Sequence, residues 1–250
     1  MEATSTKPAR RRRLVIIPAF NEERALGSLL VELSARHPIE DIAVIDDGSR
    51  DATAEVARGH GALVVSHPFN LGYGAALHTG YKLAHLRGYD ICVQIDGDGQ
   101  HDPRSIDALC APIERGEADV TVGSRFLVGQ GYIPSFSRRL GMVVFGFLAS
   151  IITKRRVTDP TSGYQALSAD AFDYFREDHF PFDYPDADVL VLMHRAKFRV
   201  VEVPVAMRQN DEGKSMHSGL APLYYVFKMF LSIAMTLLRE APIGRRRDAD

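Results

Sequence analysis

Short apolar runs alternate with longer helical patterns through the first half of this chain, and that alternation limits its fold more than any other feature. The runs predict strands at 14–17, 42–45, 63–66, 91–95 and 120–122. Between them, the spacing of apolar residues predicts helices at about 22–36, 51–59, 73–87 and 103–115. Repeats of this kind form βαβ units with right-handed crossovers. The sequence therefore predicts a three-layer α/β fold around a mostly parallel central sheet.

The pattern changes after residue 125. Residues 140–153 carry no charge, but the stretch is too short to span a bilayer and suits a buried or interfacial helix. The remaining predicted elements are a turn-rich loop at 159–164, a helix that begins near Ser168, a helix at 187–196 and a final strand at 199–205.

Composition fits one globular domain with short appendages. The chain has 250 residues, of which 46% are hydrophobic, and its formal net charge of -2 gives no reason to expect a nucleic-acid partner. Cys92 and Cys110 stand in apolar segments and are predicted to be small buried hydrophobes rather than a disulfide or a metal site. A reducing cytoplasm suits such cysteines, and the apolar run at 14–17 is too short for a signal peptide.

Both ends of the chain are basic, with arginine runs at 10–13 and 245–247. We predict that residues 1–13 form a disordered basic N-terminus. Residues 216–250 are predicted to form an amphipathic helix and a basic tail. In this segment the polar residues recur every fourth position and would form one narrow stripe on a helix: Lys228, Ser232, Thr236 and Glu240.

The wide apolar face of this predicted tail helix leaves two alternatives open. The helix packs on its own domain, or residues 219–247 bind a membrane surface or a small membrane protein. Basic ends favour anionic lipid. A true span is disfavoured because Lys228 would lie near the middle of the bilayer. The exposed apolar face also makes a homo-oligomer plausible.

The fourth predicted strand ends in two aspartates that are one residue apart. Asp96 and Asp98 flank Gly97, and alternate residues of a strand face the same side. Because the glycine lets the backbone bend, the carboxylates can converge on Mg²⁺ or Mn²⁺ that also binds phosphate oxygens. The alternative is an ordinary polar turn after a buried strand. His101 is not expected to be a ligand, since hard cations prefer oxygen.

Two other loops at the same sheet edge carry polar residues. Residues 18–23 read Pro-Ala-Phe-Asn-Glu-Glu, without the glycine-rich loop that binds a dinucleotide or a P-loop phosphate. Asp46 and Asp47 end the second strand, where a carboxylate can accept a hydrogen bond from a nucleobase or a ribose hydroxyl. One of the two could instead cap the following helix. Gly72 and Gly74 mark a loop-to-helix junction.

Together, these three loops resemble those of family 2 glycosyltransferases of the GT-A fold. The likeness is greatest to the polyprenyl-phosphate hexosyltransferase branch typified by dolichol-phosphate mannosyltransferase. Further matching segments are Gly123-Ser124-Arg125-Phe126, Asp159 to Tyr164, Glu202 to Val205 and Gly213-Lys214-Ser215. The resemblance covers about 14–215 and implies a GT-A catalytic domain over those residues.

The resemblance also implies roles for individual residues. Pro18, Phe20 and Glu22 would hold the base and the ribose of a nucleotide sugar, and Asp46 would read the base. The full donor-binding set is Pro18, Ala19, Phe20, Glu22, Asp46, Asp47, Gly72, Asp96, Gly97 and Asp98. The ligands of Mg²⁺ or Mn²⁺ would be Asp96, Asp98 and Gln100. The catalytic set is Asp98, Arg125, Arg138, Lys214 and Asp186, with Arg139 as an alternative to Arg138.

The chemistry depends on the acceptor. Displacing a nucleoside diphosphate builds charge on the leaving phosphate, so a divalent ion and the cations Arg125, Arg138 and Lys214 would lower the barrier. A lipid phosphate is already ionised and needs no strong base. A hydroxyl acceptor would need a carboxylate, for which Asp186 is the candidate. Asp186 could instead be a helix N-terminal residue that the helix dipole favours.

We therefore predict inverting, metal-dependent transfer of a hexose from a UDP- or GDP-sugar to a polyprenyl phosphate, by a peripheral protein on the cytoplasmic side of the cell membrane. The main alternative keeps the fold and the donor but uses a glycan or small-molecule hydroxyl as acceptor. A phosphatase is disfavoured because its aspartate pair should follow the first strand. A sugar-nucleotide sensor without turnover is the remaining alternative.

Overall fold

The computed structural model describes residues 11–127, 157–177 and 187–208, together with residues 146, 150, 151, 231 and 235. The strands of this part are β1 Arg13–Ala19, β2 Ile42–Asp46, β3 Leu63–Ser66, β4 Ile91–Gln94, β5 Val120–Ser124, β6 Gln165–Ser168 and β7 Val200–Pro204. The helices are α1 Glu23–Ser34, α2 Thr53–Gly59, α3 Tyr73–Leu86, α4 Ile106–Glu114, α5 Ala169–Arg176 and α6 Ala187–Arg195. Short 3₁₀ turns lie at Ile39–Asp41 and Pro103–Ser105.

The strands form a seven-stranded sheet in the order β3-β2-β1-β4-β6-β5-β7. Pairing is parallel between β1 and β2, β2 and β3, β1 and β4, and β5 and β7. Strand β6 lies antiparallel to both of its neighbours, β4 and β5. The predicted α/β fold with a mostly parallel central sheet is confirmed.

The sheet separates two hydrophobic cores, which is why its strands read as continuous apolar runs. In β1, Val15 and Ile17 belong to one core, while Leu14 and Ile16 belong to the other. The first core takes the buried leucines of α1 and residues of α4. The second core takes residues of α3, α5 and α6. Cys92 and Cys110 are buried, as predicted.

Strand β6 was not predicted, because most of its residues fall between the turn-rich loop predicted at 159–164 and the helix predicted to begin near Ser168. The helix is real and begins at Ala169, but the four residues before it form a strand. The sequence Gln-Ala-Leu-Ser has no β-branched residue and no alternation that would indicate a strand. Its pairing with a strand on each side provides the ladder hydrogen bonds that its local sequence does not favour.

Several predicted segments lie wholly or mostly outside the described residues: the basic N-terminus 1–13, the apolar stretch 140–153 and the C-terminal segment 216–250. Of the C-terminal segment the structure describes Leu231 and Met235, which are both helical and exposed. No helix within the described part of the chain is long and apolar enough to cross a membrane. The proposed domain boundaries stay predictions.

Candidate active site

The loops that follow β1, β2 and β4 meet at the carboxyl edge of the sheet. Ala19 pairs with Asp46 across the two strands, and the backbone N–H of Asp47 donates to the carbonyl of Ala19 at 2.9 Å. A Cβ added to Gly97 would lie 3.3 Å from the carbonyl oxygen of Pro18. Gly97, between Asp96 and Asp98, therefore lets the loop after β4 lie against the loop after β1, residues 20–22, which we call the β1 loop.

The β1 loop is fixed by contacts with the segment that leads into α2. The backbone N–H of Asn21 donates to Ser49 Oγ at 3.0 Å, and the N–H of Glu22 donates to Thr53 Oγ1 at 2.8 Å. Asn21 has a φ of 57°, in the left-handed region that asparagine tolerates better than most residues. Phe20, predicted to contact the donor, is 42% exposed at this edge.

Asp47 holds the neighbouring loop 67–72 in place. Its carboxylate bonds His67 Nδ1 at 2.7 Å, and it accepts hydrogen bonds from the backbone N–H groups of Leu71 at 2.9 Å and Gly72 at 2.8 Å. The side chain of Asp47 is 4% exposed. Among the described residues, the carboxylate of Asp46 accepts one hydrogen bond, from the N–H of Ser49 at 3.0 Å.

Neither Asp46 nor Asp47 caps α2, so that alternative is wrong. The helix begins at Thr53, and Asp51 accepts a hydrogen bond from the N–H of that residue at 3.0 Å. The turn after the pair instead requires glycine. Gly48 has a φ of 70°, and a Cβ there would lie 2.5 Å from the carbonyl carbon of Phe69. The aspartate pair and the loop 67–72 are therefore packed backbone to backbone.

Asp96 and Asp98 lie close enough to repel one another. Burial, and then the charge of Asp96, raise the pKa of Asp98 above its ordinary value. Asp98 accepts a hydrogen bond from the backbone N–H of Gln100 at 3.0 Å, and the side-chain amide nitrogen of Gln100 contacts its other oxygen. That contact leaves the carbonyl oxygen of Gln100 as the one ligand atom that its side chain can offer.

This donor set fits a hard divalent cation, because a positive charge would relieve the repulsion between two carboxylates that offer oxygen ligands. In the part of the chain that the structure describes, no group of three or more His, Cys, Asp or Glu residues could hold a metal ion. Asp96, Asp98 and Gln100 would therefore need oxygens from a bound diphosphate or water to complete a coordination shell. Their role as metal ligands stays a prediction.

The environment of Asp96 was not foreseen from the sequence. The hydroxyl of Tyr73 donates to Asp96 Oδ1 at 2.8 Å, and the backbone N–H of Asp96 donates to His101 Nδ1 at 3.0 Å. His101 is buried and stacks on Tyr164 with 4.7 Å between ring centroids. The sequence marks Tyr73 only as the first residue of a helix after Gly72, and nothing in that pattern indicates its contact with Asp96.

The segments that begin at Gly123, Asp159 and Glu202 come together beside the aspartates. Asp159 is fully buried, and its carboxylate accepts hydrogen bonds from Nε and one Nη of Arg125, at 2.8 and 3.0 Å. Glu202 accepts hydrogen bonds from the N–H groups of Thr158 at 2.8 Å and Asp159 at 2.9 Å. Arg125 is therefore fixed by a bidentate ion pair at the end of β5.

The other predicted catalytic residues, Arg138 with its neighbour Arg139, Asp186 and Lys214, lie outside the described residues. The structure therefore brings Asp96, Asp98, Gln100, Asp46 and the β1 loop to one sheet edge. Arg125 lies at the end of a strand of the same sheet.

Comparisons with known proteins point to one family of enzymes. The model of the family "Glycosyl transferase family 2" matches residues 14–175. Undecaprenyl-phosphate mannosyltransferase of Micrococcus luteus is 30% identical over 82% of this chain and 87% of its own length. Polyprenol monophosphomannose synthase of Mycolicibacterium smegmatis is 31% identical over 87% of this chain and 85% of its own length.

Solved structures with the same fold include glucosyl-3-phosphoglycerate synthase from Mycobacterium tuberculosis in complex with Mn²⁺ and UDP-glucose. The two folds match with a TM-score of 0.68 over 91% of this chain and 79% of that one, at 23% sequence identity. Because the sequence identity is this low, the match shows only that the two chains share a fold.

Proposed function

We propose that this chain, which belongs to glycosyl transferase family 2 and is a glycosyltransferase, transfers a hexose from a nucleotide diphosphate sugar to a polyprenyl phosphate at the cytoplasmic face of a membrane. The observation that carries the donor half is the half-buried, mutually repelling pair Asp96 and Asp98, next to the loops after β1 and β2. The acceptor half is supported by the two relatives that are named for polyprenyl substrates.

In the proposed reaction, an oxygen of the acceptor phosphate attacks the anomeric carbon from the side opposite the leaving diphosphate, and the configuration inverts. Negative charge then grows on the leaving group, and a bound Mg²⁺ or Mn²⁺ would supply charge neutralisation at that point. Asp96 and Asp98 would hold that cation, with Gln100 as a third ligand. Because the acceptor oxygen is already ionised, the chain need not supply a strong general base.

Protein groups would bind the rest of the donor. The carboxylate of Asp46 accepts one hydrogen bond within the described part of the chain, from Ser49, so it has acceptor capacity for a base N–H or a ribose hydroxyl. The end of β1 and the β1 loop would hold base and ribose through Pro18, Phe20 and Glu22. Asp47 and Gly72 would act by shaping the pocket, because their polar groups are engaged with each other.

Fixed cations would stabilise the diphosphate and orient the acceptor phosphate. Arg125 is held by Asp159 and would be oriented before substrates bind. Arg138 and Lys214 are proposed for the same purpose on the basis of the resemblance. A preorganised cation stabilises a developing charge without reorganising during the reaction, which is the largest source of rate enhancement in many enzymes.

The decisive test is transfer of radiolabelled sugar from a panel of UDP- and GDP-sugars to a polyprenyl phosphate in detergent. Label in the organic phase, absent with Asp98→Ala, is the expected result. Asp90→Ala is the matched control, because Asp90 lies at the other end of β4 and is exposed. Label that appears only in a water-soluble product would reject the lipid acceptor and support a hydroxyl acceptor with Asp186 as base.

Membrane association needs a separate measurement. We expect the full-length chain to sediment with phosphatidylglycerol vesicles and less with phosphatidylcholine vesicles, because the arginine runs at both ends attract anionic lipid. A chain that lacks 219–250 should stay in the supernatant. Equal sedimentation of the two chains would contradict a membrane role for the C-terminal segment.

A further inference from the structure

Asp96 is held by neutral groups that the proposed function does not use. The Tyr73 hydroxyl donates to its Oδ1 at 2.8 Å, and His101 Nδ1 accepts from its backbone N–H at 3.0 Å. Because Nδ1 accepts this bond, the imidazole carries its proton on Nε2, which lies 3.6 Å from Asp96 Oδ2. Two segments of the chain, before and after β4, therefore fix both the carboxylate and the backbone of the first aspartate.

The hydrogen bond from Tyr73 to Asp96 is the last of three hydrogen bonds in series, a relay in which each donor points toward Asp96. Tyr81 donates to Gln94 Oε1 at 2.9 Å, and Gln94 Nε2 donates to the Tyr73 hydroxyl at 2.9 Å. Tyr81 is 1% exposed and Gln94 is 3% exposed, so these groups have little water to bind instead. Because the Tyr73 oxygen already accepts from Gln94, its own proton is directed to Asp96.

Tyr73 is 38% exposed, but its hydroxyl is engaged by two partners, Gln94 and Asp96.

Gly163 provides the space for this contact. Gln94 pairs with Gln165 in the antiparallel ladder of β4 and β6, and continuing that register by two residues brings Gly163 opposite Asp96. A Cβ on Gly163 would lie 2.9 Å from the Tyr73 hydroxyl and 3.0 Å from Asp96 Oδ2. Any other residue at this position would push Tyr73 and Asp96 out of their present arrangement.

We infer that Tyr73 is a positioning residue of the cation site, which fixes the Asp96 carboxylate through the relay Tyr81–Gln94–Tyr73 before a divalent cation binds. The inference rests on the proposed function, in which Asp96 and Asp98 are cation ligands. A carboxylate that is already ordered loses less conformational entropy when the cation binds. Removing an outer-shell partner of a metal ligand typically lowers metal affinity by about 10- to 100-fold.

The test measures binding of Mn²⁺ alone to the full-length protein, from the loss of the free-ion signal in electron paramagnetic resonance. Tyr73→Phe removes the hydroxyl and should raise the dissociation constant by about 10-fold. Tyr89→Phe is the matched control, because it removes a hydroxyl that donates to another aspartate, Asp41, at 2.7 Å before the start of β2. That variant should bind Mn²⁺ as the wild type does.

Gly163→Ala is an independent variant, because it keeps Tyr73 and Asp96 but displaces their polar ends, and it should weaken Mn²⁺ binding as Tyr73→Phe does. If Tyr73→Phe does not fold, the affinity of Gly163→Ala for Mn²⁺ tests the inference. Wild-type affinity in the variant that folds would overturn the inference and leave the cation site intact. A wild type that binds no Mn²⁺ would overturn the cation site and the inference together.

Discussion

Two aspartate pairs lie at the same edge of the sheet, after β2 and after β4. Asp47 of the first pair and Asp98 of the second differ in the hydrogen-bond partners of their carboxylates. Asp47 has three partners, His67 and the N–H groups of Leu71 and Gly72. Asp98 contacts the nearby residue Gln100, and its pKa is raised by burial and by the charge of Asp96. The first pair includes a carboxylate that stabilises the fold, whereas the second holds two carboxylates whose charges repel each other.

This contrast shows that residue type and position do not by themselves identify a ligand site. A carboxylate saturated by donors contributes its charge to the protein and has little to offer a ligand. A carboxylate held beside another one costs stability unless a cation binds, and that cost is typical of functional sites. The comparison therefore assigns different roles to Asp47 and Asp98, which four experiments can separate.

The largest expected effect is on catalysis. Asp98→Ala should lower the rate of sugar transfer by about 1,000-fold, close to 4 kcal/mol, because the leaving charge would lose its cation. The rate is measured with the radiolabelled donor that supports transfer by the wild type. Circular dichroism should show an intact fold. An active Asp98→Ala enzyme in buffer without divalent metal would remove the proposed role of the pair.

The next effect is on stability. Asp47→Ala should lower the free energy of unfolding by about 3 kcal/mol, because two backbone N–H groups and His67 lose their acceptor. For a chain of this size the melting temperature should fall by about 10 °C. The control is Asp46→Ala, which removes one acceptor, from Ser49, and should cost about 1 kcal/mol. Equal losses in the two variants would contradict the division of roles within this pair.

Metal addition should stabilise the wild type by a smaller amount. At a Mn²⁺ concentration about 100 times the dissociation constant, linkage gives about 2.7 kcal/mol, provided that the unfolded chain does not bind the ion. Thermal unfolding with and without EDTA measures the difference. Asp47→Asn should be less stable than the wild type without metal but should gain the same free energy of unfolding when Mn²⁺ is added. Asp98→Asn should show no such gain. A metal response that survives in Asp98→Asn would place the cation elsewhere.

The smallest effect is a gain of stability in the absence of metal. The folded state holds a proton on Asp98 more tightly than the unfolded state does, so the stability of the wild type falls as pH rises from the ordinary aspartate pKa through the raised one. Asp98→Asn removes this loss and should melt about 2 °C higher than the wild type at pH 7 in EDTA. The difference should vanish below the ordinary pKa. A variant that melts lower at neutral pH would mean that Asp98 stabilises the fold.

The sequence predicted the architecture well because that part of the fold depends on local patterns. Apolar runs such as 14–17 and 42–45 form the buried strands, and the loops after parallel strands had to meet at one edge. Strand β6 was missed because its pairing on both sides, rather than its composition, makes it a strand.

The site was predicted less completely, because its contacts join residues that are distant in sequence. Asp96 and Asp98 were predicted to be cation ligands from their spacing, and that role stays a prediction. Tyr73 and Asp96 are 23 residues apart in the sequence, and His67 and Asp47 are 20 residues apart. Arg125 and Asp159 are 34 residues apart. A single sequence contains no periodicity that indicates such pairs, since they depend on strand order and on the register of β6.

The position of β6 in the sheet also has a consequence for folding during synthesis. Residues 13–94, which form β1 to β4, leave the ribosome long before residues 163–168 do. The four-stranded part of the sheet and the loops proposed to bind the donor can therefore form early. Strand β6, which separates β4 from β5, and Gly163, which lies opposite Asp96, are synthesised only afterwards. A truncated or stalled chain would have the loops proposed to bind the donor but not the complete proposed cation site, so we expect catalytic competence to come later than the fold that supports it.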